Sequence, residues 1–245
     1  MRLYRGRAAT PGADRDATAA MLDRTGTVGE PALRVWTPHR QVAFGRRDVH
    51  EPGYDAARAA AEARGYPSVE RSVGGRAVAY TGSTLAFAHA VPLDEESDAR
   101  RGIGARYDDA VATVVAGLRA VGVDARPGEP PNAFCPGTHS VQAADDDGRP
   151  TKLAGIAQRV RSNGALVAGI VHVRDRDDLR EVLVAVYDAL AVPLDPDTVG
   201  SVATSGGPAD LDPVARALEG AFVGDRSATT VAVDDLLAGE RSGGG

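Results

Sequence analysis

The run Asn132 to Ser140, NAFCPGTHS, contains the only cysteine of a 245-residue chain, and seventeen residues further on stands its only lysine, Lys152. A single cysteine cannot close an internal disulfide, so Cys135 is either a small buried filler or a nucleophile. A thiol attacks as its thiolate, and an ordinary thiol pKa of about 8.5 has to be depressed by a neighbouring cation or base. Lys152 is a candidate for that neighbour. Of the 28 basic residues 27 are arginine, and arginine supplies charge equally well but cannot release a proton near neutral pH. A lysine kept in such a background is read as one used for something arginine cannot do, such as assisting a thioester and then accepting the proton of an incoming amine. His139, four residues after Cys135, is an alternative base. A cysteine-protease reading would draw on His39, His50, His89 or His172, but Cys135 lies in a proline turn and not at a helix start. A metal site from Cys135, His139 and His172 lacks the paired spacing of structural zinc, so no metal is expected.

Two further stretches have chemical character. In RSVGGRAVAY, Arg71 to Tyr80, a Gly-Gly pair sits between a strand-like run and small apolar residues. It is either a plain turn or a loop whose bare backbone approaches a carboxyl, phosphate or acyl group, flanked by Arg71 and Arg76 as anion partners. In KLAGIAQRV, Lys152 opens a strand of small and apolar residues in which Gly155 permits close approach, with Gln158 and Arg159 at the polar end.

The elements that must position these residues are legible in part. Leu33 to Arg47 reads as strand, turn and strand around TPHR. Tyr54 to Arg64, alanine-rich and followed by Gly65, reads as a short helix with its C-cap. AVAYTGSTLAFAHAV reads as a hairpin turning at Thr81, Gly82 and Ser83. Val111, Val114, Val115 and Leu118, and again Leu179, Val182, Leu183 and Val186, follow the i, i+3, i+4, i+7 spacing of helices lying against a sheet. Between them TKLAGIAQRV and GALVAGIVHV flank Arg161, Ser162, Asn163 and Gly164, a hairpin cue, and ADDDGRP is an acidic turn leading into that hairpin. Helices are expected near Pro213 to Ala221 and Val233 to Ala238, before a disordered SGGG tail. Strands and helices mix without strict alternation, so the fold class is α+β with a central mixed, largely antiparallel sheet flanked by helices.

Composition narrows the function classes. With 34 acidic against 28 basic residues the chain lacks the basic excess of a general nucleic-acid binder. No apolar run approaches a membrane span, and Arg2, Arg5 and Arg7 are not followed by the apolar stretch of a secretory signal. A cytoplasmic protein without membrane or nucleic-acid partners is expected.

Taken in order, RSVGGRAV, CPGTHSVQ and KLAGIAQR resemble the lipoate-protein ligase and octanoyltransferase superfamily, related to biotin protein ligases. LRVWTPHRQVAFGRRD is similar to that family's N-terminal strand pair and DLREVLVAVYDAL to the helix after its core, so the resemblance spans roughly residues 30–200. It implies a catalytic domain over residues 1–205, a small helical extension over 206–245, and a tunnel for a medium-length acyl chain. It implies that Arg71, Gly74, Gly75, Arg76 and Ala77 cover the acyl carbonyl or acyl-adenylate, that Lys152 contacts that carbonyl, and that Leu153, Ala154 and Gly155 line the pocket with Gln158 close by. FCPGTHSV is similar to the branch of cysteine-dependent octanoyl and lipoyl transferases, which makes Cys135 the nucleophile and Lys152 its catalytic partner. Arg76, where many ligases carry a third glycine, favours that branch; Ala168 and Gly169, in place of a His-Gly pair, leave that histidine's role unfilled. The implied acceptor is a lysine on the lipoyl domain of a 2-oxoacid dehydrogenase or on the glycine cleavage carrier protein, with acyl carrier protein as a possible donor. The octanoyl or lipoyl group is substrate and no bound cofactor is expected; ATP and magnesium enter only if the chain is instead an ATP-dependent ligase. A non-catalytic acyl-binding or partner protein is the alternative from another class.

Overall fold

The computed structural model describes residues 1–71, 75–93 and 102–242. Its frame is an eight-stranded sheet built from β1 (Arg2–Arg5), β2 (Ala32–Trp36), β6 (Thr84–Pro92), β7 (Arg126–Pro127), β8 (Ser140–Ala144), β9 (Pro150–Val160), β10 (Gly164–His172) and β11 (Thr229–Ala232), in the order β11-β1-β2-β6-β10-β9-β8-β7. Only the β11/β1 and β1/β2 pairs are parallel; the rest of the sheet is antiparallel. A second sheet, β4-β3-β5, joins β3 (Gln41–Phe44), β4 (Ser68–Glu70) and β5 (Val78–Tyr80). The fold class is the mixed α+β one read from the sequence.

Alternation along β6 distributes its side chains to the two faces of the sheet. Leu85 and Phe87 meet the helices α3 (Ile103–Ala120) and α5 (Leu211–Val223) through Val114, Leu118, Leu218 and Phe222. The intervening Ala86, Ala88 and Ala90 face the other way. There, α1 (Pro11–Val28) covers Ala88 and Ala90 through Ala20, Met21 and Leu22. Ala86 joins the core between the small sheet, α2 (Tyr54–Glu62) and α4 (Arg176–Ala189). The sequence reading passed over α1, whose apolar face is mostly alanine; its signals are the Thr10 hydroxyl accepting from Ala13 N–H at 3.1 Å, Pro11 in the first turn and left-handed Gly29 at its end, the usual capping devices.

The β9–β10 hairpin forms as expected, closed by Arg161 N–H donating to Gly164 O at 2.8 Å. The hairpin expected at Thr81 to Ser83 does not form. β5 pairs with β3 in the small sheet, whereas β6 pairs with β2 and β10 in the large one. The Thr81 hydroxyl takes the Ser83 N–H (3.1 Å) and Thr84 Oγ1 takes the Thr81 N–H (3.0 Å), so side chains satisfy the corner where the chain leaves one sheet for the other. Residues beyond 205 were expected as an extension, yet α5 supplies Val214, Leu218 and Phe222 to the main core and β11 extends the large sheet along β1. The final helix, α6 (Val233–Ser242), follows β11 directly, and residues 243–245 lie outside the described residues. No helix among the described residues is long and apolar enough to cross a membrane.

Candidate functional site

Cys135 stands in a loop between β7 and β8 with φ +41°, and Asn132 before it has φ +56°. Both occupy the left-handed region that costs a non-glycine residue free energy unless its surroundings hold it there. The hold is visible. Cys135 N–H donates to the Tyr187 hydroxyl at 2.6 Å, and that hydroxyl donates to Ala77 O at 3.0 Å. Tyr187 is fully buried on α4, and burial, followed by the neighbouring Cys135, pushes its phenol well above the ordinary value, so it stays a neutral strut. Ala77 is itself buried, so the strut ties the cysteine loop to the glycine loop.

The glycine loop meets the thiol directly. Gly75 has φ +98°, and a Cβ there would stand 3.0 Å from Cys135 Sγ and 3.4 Å from Arg71 Nη2. A Cβ on Gly45, at the end of β3, would overlap the Gly75 carbonyl oxygen. Two glycines therefore allow backbone against backbone and backbone against sulfur. Arg71 Nη2 lies 3.8 Å from Sγ and donates to Arg76 O at 2.5 Å. The cation against the thiol is thus Arg71 rather than Lys152. Arg76 is engaged elsewhere, with Glu51 at 2.6 Å and Asp48 at 3.3 Å. Asp48 is fully buried and its carboxyl is raised by that burial, against the opposing pull of Gly45 N–H and Arg76. Gly74 lies outside the described residues.

Lys152 is 1% exposed, which an ammonium tolerates only with partners. Nζ meets Glu129 Oε2 at 2.6 Å, Cys135 O at 2.8 Å and Phe134 O at 3.0 Å. Its direction depends on an irregularity in β9: Gln142 pairs with Lys152 but Val141 pairs with Ala154, so β9 carries one extra residue there. Bulges re-aim side chains, and Nζ ends near Gly155, where a Cβ would be 3.9 Å away.

Beyond Gly155 the sheet presents two cross-strand rows on one face, Gly155–Ile170–Ala86–Trp36 and Ala157–Ala168–Ala88–Arg34. Gly155 and Ala168 are half-buried and Ala157 exposed. This floor of small side chains begins beside the lysine. Arg34, at its far end, is fully buried, paired to Asp14 and stacked 4.1 Å over Trp36.

Three expected lining residues lie elsewhere. Leu153 and Ala154 are fully buried in the α3–α5 core. Gln158 accepts from Arg106 Nε at 2.8 Å and donates to Ile103 O at 3.2 Å, both on α3 and across the sheet from Gly155. The cause is strand alternation: Ala154, Ile156 and Gln158 share the face opposite Gly155. Among the histidines, His139 stacks on Tyr107 with ring centroids 3.7 Å apart. His172 is buried beside Phe134; burial and then the Lys152 charge push its pKa down to about 3, which keeps it neutral. No three His, Cys, Asp or Glu side chains among the described residues converge on a possible metal position.

Among the described residues, clefts open at the surface. One of about 380 Å³ is lined by Arg46, Val49, His50, Glu70 and Arg71 and so abuts the thiol through Arg71. Another, of about 420 Å³, lies between Arg64 and the outer side of α4, away from Cys135. Neither has the apolar lining of an acyl tunnel. Sequence reasoning missed Glu129 and Tyr187. The signal for Glu129 was available, since a lone lysine in an apolar strand needs a carboxylate, and Glu129 lies in the same proline-rich run as Cys135.

The site thus brings a thiol against a guanidinium and a bare backbone, with the ammonium of Lys152 reaching from β9 to the carbonyls of the same loop. Comparison with known proteins identifies the family. The family model "Lipoyl protein ligase A/B catalytic domain" matches residues 16–222. An octanoyl-[GcvH]:protein N-octanoyltransferase from Exiguobacterium sibiricum is 28% identical over 162 residues, which cover 66% of this chain. The match spans 56% of that relative, a little over half its length. Two solved structures share the fold. One is lipoate-protein ligase A bound with ATP (TM-score 0.72, 22% identity, 97% of this chain and 92% of that one). The other is a bi-partite lipoate protein ligase studied with its E2 lipoyl domain, from Thermoplasma acidophilum (TM-score 0.62, 20% identity, 97% and 90%).

Proposed function

From the premise that the chain belongs to the lipoyl protein ligase A/B catalytic-domain family, we propose that it transfers octanoyl or lipoyl groups onto the ε-amine of a carrier-domain lysine through a thioester on Cys135. In the first half-reaction the sulfur of Cys135 attacks the acyl carbonyl of the donor as its thiol proton is given up, and the donor's thiol or amine leaves carrying that proton. In the second, the acceptor amine attacks the thioester, an amide forms, and the cysteine leaves as the thiolate and takes up the amine's proton. Each step exchanges one acyl bond for another, so neither needs ATP.

The observation that carries the reading is the position of Cys135 Sγ, against Gly75 and 3.8 Å from Arg71 Nη2. The guanidinium places a positive charge beside the sulfur that would carry the acyl group. Lys152, as a donor to oxygen, suits the acyl carbonyl and the charge that develops on it. The acyl chain is assigned to the half-buried to exposed small residues Gly155, Ala157 and Ala168, and Arg71, Gly75, Arg76 and Ala77 are assigned to the loop over its carbonyl. The acceptor is assigned to a lipoyl domain of a 2-oxoacid dehydrogenase or to a glycine cleavage carrier protein, in keeping with the relative named for GcvH and the neighbour studied with its E2 lipoyl domain. A cytoplasmic location fits both.

The second reading is an ATP-dependent ligase working through an acyl-adenylate. In its favour is the cleft beside the glycine loop where Arg46 and Arg71 join Val49, His50 and Glu70, since two guanidiniums suit phosphates. ATP and magnesium would then be substrates and Cys135 a bystander. The two separate when octanoyl acyl carrier protein, octanoylated glycine cleavage carrier and free octanoate or lipoate are each supplied with and without ATP and magnesium, and the mass of the acceptor domain is followed. Transfer from a carrier without ATP is expected. Product only from free acid with ATP favours the ligase, and no product from any donor favours a non-catalytic binder.

A further inference from the structure

We infer that Glu129 is a positioning residue of this transfer, holding the Lys152 ammonium and the Cys135 loop in one arrangement; the inference rests on the transfer reading above. Glu129 Oε2 accepts from Lys152 Nζ at 2.6 Å and from Ser140 Oγ at 2.6 Å. Both carboxylate oxygens accept from Gly137 N–H, at 3.0 and 3.1 Å. Gly137 is two residues beyond the nucleophile, and Ser140 opens β8 and pairs with Gly155. One carboxylate thus ties together the loop that carries the thiol, the strand pair beneath it and the lysine.

The ammonium has no spare proton. Its three acceptors are Glu129, Phe134 O and Cys135 O, and it has three N–H groups. An incoming acyl carbonyl can therefore be bonded by Lys152 only in exchange for one of these. The two peptide oxygens have no side chain holding them to the ammonium. The carboxylate is also fastened by Gly137 N–H and by Ser140 on β8, and its side chain is 18% exposed against 2% for the lysine. Glu129 is the partner that stays, fixing Nζ while a peptide oxygen is replaced by the substrate's.

Transfer of octanoyl from a carrier donor, measured as kcat and KM for the acceptor domain, tests this. Glu129→Gln keeps the shape and removes the charge. It should lower kcat about 10- to 100-fold, the usual consequence of unpairing a buried charge, while KM changes less than about two-fold because the acceptor surface is untouched. Glu129→Asp keeps the charge and should retain more kcat than Glu129→Gln. In a Lys152→Met background Glu129→Gln should cost less than about two-fold, because groups acting as a unit are non-additive. Circular dichroism and thermal unfolding establish that each variant is folded. The inference is overturned by wild-type kcat in Glu129→Gln, by Glu129→Asp being no better than Glu129→Gln, or by losses that multiply across the two positions. Near-normal transfer by Lys152→Met removes the role given to Lys152, and this inference with it. Normal transfer by Cys135→Ala, with Glu129 and Lys152 still coupled, removes the thioester reading and leaves the positioning role intact.

Discussion

Two of the three oxygens around Lys152 Nζ are peptide carbonyls, and the third belongs to a carboxylate that already accepts from Gly137 and Ser140. None of them has a proton to give, so the amine donates to all three. In this geometry Lys152 is a hydrogen-bond donor and a local positive charge, and the proton acceptor expected from the sequence is better sought in the departing cysteine. Lys152→Arg keeps the charge but replaces a compact, three-fold donor by a planar fork in a fully buried space. Transfer is expected to fall at least ~100-fold, the scale of losing a positioned catalytic group, with near-normal activity contradicting the role. Tyr187→Phe removes the acceptor of Cys135 N–H and the donor to Ala77 O. Leaving buried polar groups unpaired should destabilise the protein by about 1–3 kcal/mol in denaturant unfolding, and an unchanged midpoint would mean that the strut is dispensable. Scarcity made Cys135 and Lys152 legible in the sequence. Arg71 was legible only as a generic anion partner, because its approach to a sulfur 64 residues away is set by the packing of two loops.

Single backbone features decide how the loops and strands of the site meet. The extra residue in β9 turns Lys152 towards Gly155 and lets the adjacent Leu153 and Ala154 both enter the α3–α5 side, and alternation beyond it sends Gln158 towards the same side. A strand's existence can be read from its apolar run, but a bulge leaves no such mark, and one residue of slip exchanges the faces. That is why the KLAGIAQ stretch was legible as a strand while the sides taken by Leu153, Ala154 and Gln158 were not. The SNG turn between β9 and β10 was legible because it is local. The separation of β5 from β6 was not, because it depends on which partner strands are nearby. Gly75→Val tests the glycine loop. Its φ of +98° and the 3.0 Å from a Cβ to Cys135 Sγ both oppose a branched side chain. The protein is expected to fold, since the strain is confined to a surface loop, with acyl transfer lost. Survival of transfer in a folded Gly75→Val protein would reduce the loop to a simple turn.

For the molecule as a whole, two histidines set an acid limit. Burial, then Lys152, holds His172 down to about 3, and burial, then Arg226, holds His89 down to about 4. Unfolded, each takes its proton near 6.5. Between those values the unfolded chain binds more protons, so stability is intact above about pH 6.5 and falls as pH drops towards 4, by roughly 1 kcal/mol per pH unit for each ring. Denaturant midpoints at pH 7, 6 and 5 should show the slope, and His89→Gln should flatten it; an unchanged slope contradicts the assignment. The overall architecture was largely legible because helices and strands with clean periods dominate it. The role of residues beyond 205 was not, because β11 reaches its partner β1 across nearly the whole chain. Carriage of the acyl group on Cys135 is read out by the intact mass of the protein after incubation with an octanoylated carrier, without ATP and without acceptor. One octanoyl group should be added, removed by hydroxylamine and absent from Cys135→Ala. An unmodified protein, together with undiminished acceptor labelling by Cys135→Ala, would contradict it.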